Sequence, residues 1–146
     1  MLKKVILIDF KVGEIEPRYL DRIKKLFNFN GFILREDPNL LNELKDTEAI
    51  FCKISTKIDK ALIDSAPNLK YIGVCSTAFD AIDASYARSK GVSVCNLGGY
   101  STEAVAEFFF AALFEQTREL EKAKIQARSG DFSFANFMTL ELKDKT

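Results

Sequence analysis

Short apolar runs alternate over the first 100 residues with segments whose apolar positions recur at helical spacing. The runs are continuous, as in Val5 to Ile8, and such a run is typical of a strand buried on both faces. Pro17 favours the first turn of a helix, and Pro67 ends one because the residue before a proline avoids helical backbone angles. The pattern predicts strands over 5–8, 32–34, 49–52, 69–74 and 92–95, and helices from 17 to about 30, over 40–45, around 58–63 and over 82–90.

Strands and helices therefore alternate throughout this region. Successive parallel strands need crossover connections, and these are right-handed and place helices on the faces of the sheet. We predict an α/β fold with a doubly wound, parallel, five-stranded sheet, followed by a long C-terminal helix.

The C-terminal third has a different pattern. From Ser101, a plausible N-cap, a helix can run to about Arg128 without meeting a glycine or a proline. Between Ala104 and Phe114 only Glu107 is polar, so this stretch needs covering on every side, and it is too short to cross a bilayer. We expect Phe108 to Phe114 to be buried between chains, which makes the protein a homo-oligomer through helix 101–128.

Composition and charge narrow the possible functions. The chain has 21 basic and 21 acidic side chains and no basic block, which argues against nucleic acids and anionic membranes as partners. It contains no histidine, so Ser-His and Cys-His nucleophile pairs, histidine metal ligands and a histidine proton donor are excluded.

The three cysteines, Cys52, Cys75 and Cys95, are widely spaced and form no C-x-x-C motif. Without histidine they offer no zinc site, so we expect no metal site. They are expected to be free thiols in a reducing compartment, which predicts a cytoplasmic protein.

Candidate chemistry lies where the strands end, because ligands of open parallel sheets bind beyond the carboxyl ends. Ser55-Thr56 and Ser76-Thr77 follow two of the predicted strands and could hold a carboxylate through N–H groups and hydroxyls. Alternatively, they cap the helices that follow. Asp80 and Asp83 have the spacing of a carboxylate pair, although capping the next helix is the favoured interpretation. No G-x-G-x-x-G or P-loop is present, so we expect this chain alone to bind no dinucleotide.

Three blocks of sequence carry a family resemblance: NLKYIGV at 68–74 followed by FDAID at 79–83, ARSKGVSVCN at 87–96, and GYSTEAVAE at 99–107. In this order and spacing they resemble the D-isomer-specific 2-hydroxyacid dehydrogenases, and most closely the phosphoglycerate, glycerate and hydroxypyruvate reductases. The resemblance implies an NAD-dependent oxidoreductase acting on a small 2-oxo or 2-hydroxy acid. It also implies a flavodoxin-like substrate domain over 1–100, with 101–146 as hinge helix and start of a Rossmann nucleotide domain.

The resemblance further assigns residues to the substrate carboxylate. They come from the loop after the third strand, the loop after the fourth strand and the hinge: Lys53, Ile54, Ser55, Ser76, Thr77, Ala78 and Tyr100. Ala78 stands where the family usually has a glycine. The family's catalytic Arg, Glu and His and its NAD motif belong to later sequence, so we expect no catalytic residue here and a truncated piece that is inactive alone. The alternative is a non-catalytic dimerising or carboxylate-binding module.

Overall fold

The computed structural model describes residues 4–137 and 139–145, which divide into two compact units, the first ending at Gly99 and the second beginning at Tyr100. The first unit holds nine of the helices and strands: β1 (Lys4–Ile8), α1 (Pro17–Leu26), β2 (Asn28–Ile33), α2 (Leu40–Leu44), β3 (Ala49–Cys52), α3 (Lys60–Asp64), β4 (Tyr71–Val74), α4 (Ala84–Ser89) and β5 (Ser93–Cys95). The second unit holds α5 (Thr102–Arg118) and α6 (Leu120–Arg128).

The strands form one parallel sheet in the order β2-β1-β3-β4-β5 among the described residues. This confirms the predicted doubly wound sheet. The apolar run of β1 explains its interior position in the sheet, because Val5 to Ile8 are almost completely buried on both faces. Its neighbour β3 begins at Ala49 and ends at Cys52, as the sequence predicted.

The main core lies between one face of the sheet and the short helices α2, α3 and α4. Alternate residues of three strands point into it, as strand geometry requires. The helices add the apolar residues of their inner faces. The members from strands and helices are Ile6, Ile8, Ile50, Cys52, Ile72, Val74, Leu40, Leu44, Leu62, Ile63 and Ala87.

A glycine in β4 is required by close packing on the opposite face of the sheet. The rings of Phe51 and Tyr71 lie 5.7 Å apart and close over Gly73. A Cβ at Gly73 would lie 2.6 Å from a ring carbon of Phe51 and 3.0 Å from one of Tyr71. The missing side chain therefore makes room for two aromatic rings.

The first helix is shorter than the pattern predicted. It ends at Leu26, where the backbone N–H of Phe27 donates to the carbonyl of Ile23, and β2 already begins at Asn28. Gly31, which follows the predicted end of the first helix at about residue 30, lies inside β2 with φ of 122° beside a shift in the β1–β2 register. The pairing of β2 with β1 has overridden the local helical signal.

The predicted single helix over 101–128 was wrong in one respect, because Glu119 breaks it into α5 and α6. Glu119 adopts a left-handed conformation with φ of 47° and ψ of 46°. Its N–H still donates to the carbonyl of Glu115, while the Glu115 carboxylate accepts from the N–H of Glu121 at 2.8 Å. One side chain thus caps the start of α6, and the break needs no glycine or proline.

The expectation that α5 is covered on every side is not met within the described chain. None of its residues is buried, and Phe108 and Phe109 are 77% and 60% exposed. Phe110, Phe114 and Val105 are exposed as well. Among residues 4–137 and 139–145, no helix has the length and hydropathy needed to cross a membrane.

Candidate functional site

Two loops leave the carboxyl ends of the neighbouring strands β3 and β4 and are fastened to each other. The N–H of Cys75 donates to the carbonyl of Cys52 at 2.9 Å, which prolongs the pairing by one residue beyond the end of β4. Further along, Ile58 pairs with Ile82 in a parallel bridge. Six of the seven residues predicted to meet a carboxylate lie on these two loops: Lys53, Ile54, Ser55, Ser76, Thr77 and Ala78.

The backbone of these loops offers unpaired donors. Within the part of the chain that the structure describes, the N–H groups of Ile54, Ser55, Thr77 and Ala78 donate no hydrogen bond. The exposed Ser55 hydroxyl likewise has no partner there. Clustered free N–H groups at the edge of a sheet suit a negatively charged ligand. The arrangement can therefore bind an anion such as a carboxylate.

The hydroxyls of the second loop are used internally. Ser76 donates to the carbonyl of Ala78 at 2.5 Å, and Thr77 donates to the carbonyl of Leu97 at 3.3 Å. The side-chain amide of Asn96 returns a 2.6 Å hydrogen bond to the carbonyl of Thr77. These bonds fix the loop against the end of β5, so a ligand would meet its N–H groups first.

The alternative that serines and threonines cap the following helices was wrong for α3 and α4. Both helices are capped by aspartates: Asp59 accepts from the N–H of Leu62 at 3.0 Å, and Asp83 accepts from the N–H of Tyr86 at 3.0 Å. Aspartate is among the strongest N-cap residues, so neither helix uses a serine or threonine as its cap. The capping interpretation of Asp83 is confirmed.

Sequence reasoning missed a polar network beneath the first loop. Asp9, left-handed with φ of 64°, accepts from the Thr56 hydroxyl and from the N–H of Arg35, both at 2.8 Å. Thr56 is only 1% exposed, and its oxygen also accepts from the N–H of Lys53 at 3.3 Å. An aspartate directly after a buried strand was the one signal in the sequence. This network sets the position at which Lys53 leaves β3.

Glu14 was also missed, and it contacts a predicted site residue. Its carboxylate lies 2.5 Å from the ammonium of Lys53 and accepts from the N–H of Lys11 at 2.9 Å. The Lys53 ammonium lies 5.4 Å from the centre of the Phe10 ring. The hydrogen bond from Lys53, with that from the Lys11 backbone, lowers the pKa of Glu14 below its usual value.

The thiols near the site are poor nucleophiles. Burial, with smaller contributions from Cys75 and Asp9, raises the pKa of Cys52 to about 12. Burial also raises the pKa of Cys75. The thiolate is the reactive form, so neither residue is activated. Among the described residues, no group of three or more cysteine, aspartate or glutamate side chains is placed to hold a metal ion.

Two further predicted features concern single residues. Ala78 has no left-handed backbone angles, so an alanine fits where the family usually carries glycine. Tyr100 belongs to the second unit and is 65% exposed. Its role in substrate binding stays a prediction.

Comparison with known proteins decides the family. Residues 5–144 match the family described as D-isomer specific 2-hydroxyacid dehydrogenase, catalytic domain. The chain belongs to this family. It is 38% identical over 111 residues to the glyoxylate reductase of Thermofilum pendens, a match covering 73% of this chain and 33% of that protein. It is 34% identical over 107 residues to the D-3-phosphoglycerate dehydrogenase of Archaeoglobus fulgidus, covering 73% of this chain and 20% of the relative.

Among solved structures, the D-lactate dehydrogenase of Aquifex aeolicus, complexed with NAD and lactic acid, superimposes with a TM-score of 0.75 at 27% identity. The match covers 94% of this chain and 41% of that one. The chain therefore spans less than half the length of these three relatives. The 146 residues contain no G-x-G-x-x-G, the motif that approaches the pyrophosphate of a dinucleotide in Rossmann folds.

Proposed function

We propose that the first unit of this chain is the substrate-binding domain of an NAD-dependent D-2-hydroxyacid dehydrogenase. It binds the carboxylate of a small 2-oxo or 2-hydroxy acid at the ends of β3 and β4. The backbone N–H groups of Ile54, Ser55, Thr77 and Ala78 donate to the carboxylate. Lys53 leads into the first of these loops, Ser76 holds the second loop in shape, and Tyr100 is a further candidate for contact with the substrate.

One observation carries this proposal: four N–H groups on two adjacent, cross-bonded loops have no acceptor within the described residues. Such groups are costly to leave unpaired once a site closes and excludes water, so they call for a ligand with acceptor oxygens. The position at the carboxyl ends of parallel strands is where open α/β sheets bind ligands. Family membership supplies the chemical class of that ligand.

The remaining parts of the proposal concern catalysis and assembly. The chain contains no histidine to protonate a carbonyl oxygen and no glycine motif for NAD, so these residues alone do not turn over substrate. Residues 101–146 form the hinge helix and the beginning of a nucleotide-binding domain. The protein acts in the cytoplasm as a homo-oligomer through helices α5 and α6.

Amide chemical-shift titration of the 15N-labelled chain tests carboxylate binding. Glycolate is expected to shift the amides of Ile54, Ser55, Thr77 and Ala78, because these N–H groups gain an acceptor. Glycolamide has nearly the same shape without the charge and serves as the matched control. Equal shifts with both compounds, or glycolate shifts confined to other residues, would contradict the proposed site.

A separate assay tests the catalytic part. NADH oxidation with glyoxylate or hydroxypyruvate is expected to be undetectable with the 146-residue chain. Robust turnover would overturn the proposal that these residues are inactive alone, while leaving the carboxylate site intact.

The exposed phenylalanines of α5 favour a second candidate, a non-catalytic module whose role is dimerisation or carboxylate binding. The two candidates predict different DNA sequences after codon 146. DNA following codon 146 that encodes a strand and a G-x-G-x-x-G supports the dehydrogenase, whereas an unrelated gene there supports the module.

A further inference from the structure

The positive charge at the candidate site is already paired with a negative charge of the same chain. The Glu14 carboxylate lies 2.5 Å from the Lys53 ammonium and is held from its other side by the N–H of Lys11 at 2.9 Å. The N–H of Glu14 donates back to the carbonyl of Lys11 at 3.1 Å, which closes a tight turn. Glu14 is therefore fixed by its own loop, and it contacts the first residue after β3.

The other charged groups near Lys53 have partners of their own, so they do not restore the positive charge that Glu14 offsets. The Asp9 carboxylate is occupied by the Thr56 hydroxyl and the N–H of Arg35. The guanidinium of Arg35 is directed elsewhere, to the carbonyl of Lys57 and to Asp59. Lys57, the other cation of the β3 loop, also reaches Asp59, at 3.8 Å. The cation next in sequence to the unpaired N–H groups of Ile54 and Ser55 is therefore Lys53, and Glu14 offsets its charge.

We propose that Glu14 is a specificity-determining residue, which restricts this site to ligands with a single negative charge. This inference rests on the proposed function. A monocarboxylate is satisfied by the four backbone N–H groups, which are partial charges. A second carboxylate or a phosphate on the ligand would need a free cation, whereas Lys53 is held by Glu14, and Arg35 and Lys57 share Asp59.

The size of the effect follows from simple electrostatics. Both side chains of the pair are partly exposed, so the pair itself adds little to stability. The binding of a charged ligand is nevertheless sensitive to the Glu14 carboxylate, because like charges a few ångströms apart repel each other even in water. We take a separation of about 4 Å between Glu14 and the additional ligand charge, which corresponds to about a fivefold change in affinity when Glu14 loses its charge.

The test compares two 2-hydroxy acids that differ by one carboxylate: glycolate, with one negative charge, and tartronate, with two. Dissociation constants come from amide chemical-shift titrations of the full 146-residue chain and its E14Q variant. In E14Q, the affinity for tartronate relative to glycolate is expected to rise about fivefold. E16Q is the matched control, because Glu16 lies in the same segment but pairs with Arg18 at 2.8 Å. The ratio is expected to be unchanged in E16Q.

The outcomes separate this inference from the proposed function. If glycolate shifts the loop amides but E14Q leaves the tartronate-to-glycolate ratio unchanged, the specificity role is overturned and the carboxylate site stands. If E14Q and E16Q change the ratio equally, general surface charge is the cause and the role of Glu14 is again overturned. If neither acid shifts the loop amides in any variant, the proposed function fails and this inference falls with it.

Discussion

The hydroxyl of Thr56 donates a 2.8 Å hydrogen bond to the carboxylate of Asp9, 47 positions earlier in the chain. The same carboxylate accepts from the N–H of Arg35, just beyond β2. A single side chain therefore joins the segments that follow β1, β2 and β3. Because Lys53 begins the loop that Thr56 closes, the shape of the candidate site depends on this hydrogen bond.

Replacing Thr56 with valine is expected to lower the free energy of unfolding by about 1–3 kcal/mol, because a partly buried carboxylate oxygen loses its donor. The two side chains have similar shape, so the loss reports the hydrogen bond. Urea denaturation measures it. Thr77→Val is the control, since that hydroxyl is exposed and its hydrogen bond is 3.3 Å long. Equal losses in both variants would show that the Asp9–Thr56 bond has no special weight.

The sheet could be predicted because β1 and β3 are short, continuous apolar runs, and because runs of this length alternate with helical patterns along the chain. The polar contacts between pairs of residues at the site could not be predicted from the sequence. Asp9 with Thr56, and Glu14 with Lys53, are each distant in sequence, and hydrophobic periodicity carries no information about polar pairs brought together by crossovers.

The predicted ends of helices and strands were wrong where tertiary contacts outweighed local sequence signals. Gly31 is a good helix stop by itself, yet it lies in β2 because pairing with β1 determines that segment. Glu119 breaks the long helix with no glycine or proline, and the Glu115 side chain that caps α6 compensates for the break. Local propensity alone does not reveal such compensation.

Gly73→Ala is expected to destabilise the chain by about 1–3 kcal/mol, because the new Cβ would overlap the Phe51 ring. Gly98→Ala is the matched control, since nothing lies within 4 Å of a Cβ there. That variant is expected to be neutral or stabilised by up to about 1 kcal/mol, through loss of unfolded-state freedom. Thermal unfolding of both variants decides the matter, and a harmless Gly73→Ala would refute the close packing.

Asp83→Ala is expected to cost about 0.5–2 kcal/mol of stability, because α4 loses the carboxylate that accepts from the N–H of Tyr86. Asp80→Ala should change stability by less than about 0.5 kcal/mol, since Asp80 is an exposed loop residue. Chemical denaturation compares the two. A larger loss for Asp80 than for Asp83 would reverse the assignment of the cap.

The buried thiol of Cys52 makes stability depend on alkaline pH. Its pKa is about 12 in the folded chain against an ordinary value of 9.0, so the unfolded chain releases this proton first. The stability contributed by the protonated thiol is complete below pH 9 and is lost as the pH rises towards 12, by up to about 1.4 kcal/mol per pH unit. Urea unfolding at pH 8 to 10.5 should show wild type losing stability relative to Cys52→Ala. A constant difference between the two would contradict the shift.

Self-association through α5 is the prediction that bears on both candidate functions. A monomer that leaves Phe108 and Phe109 in water exposes an apolar surface that association would bury, and such surfaces mark interfaces between chains. Sedimentation velocity is therefore expected to show a concentration-dependent dimer, which the Phe108→Glu variant converts to monomer because a charge cannot be buried unpaired. Phe132→Glu is the control, as Phe132 is 83% exposed but lies outside both helices. A wild-type chain that stays monomeric at high concentration, or a Phe132→Glu variant that dissociates equally, would remove α5 as the interface.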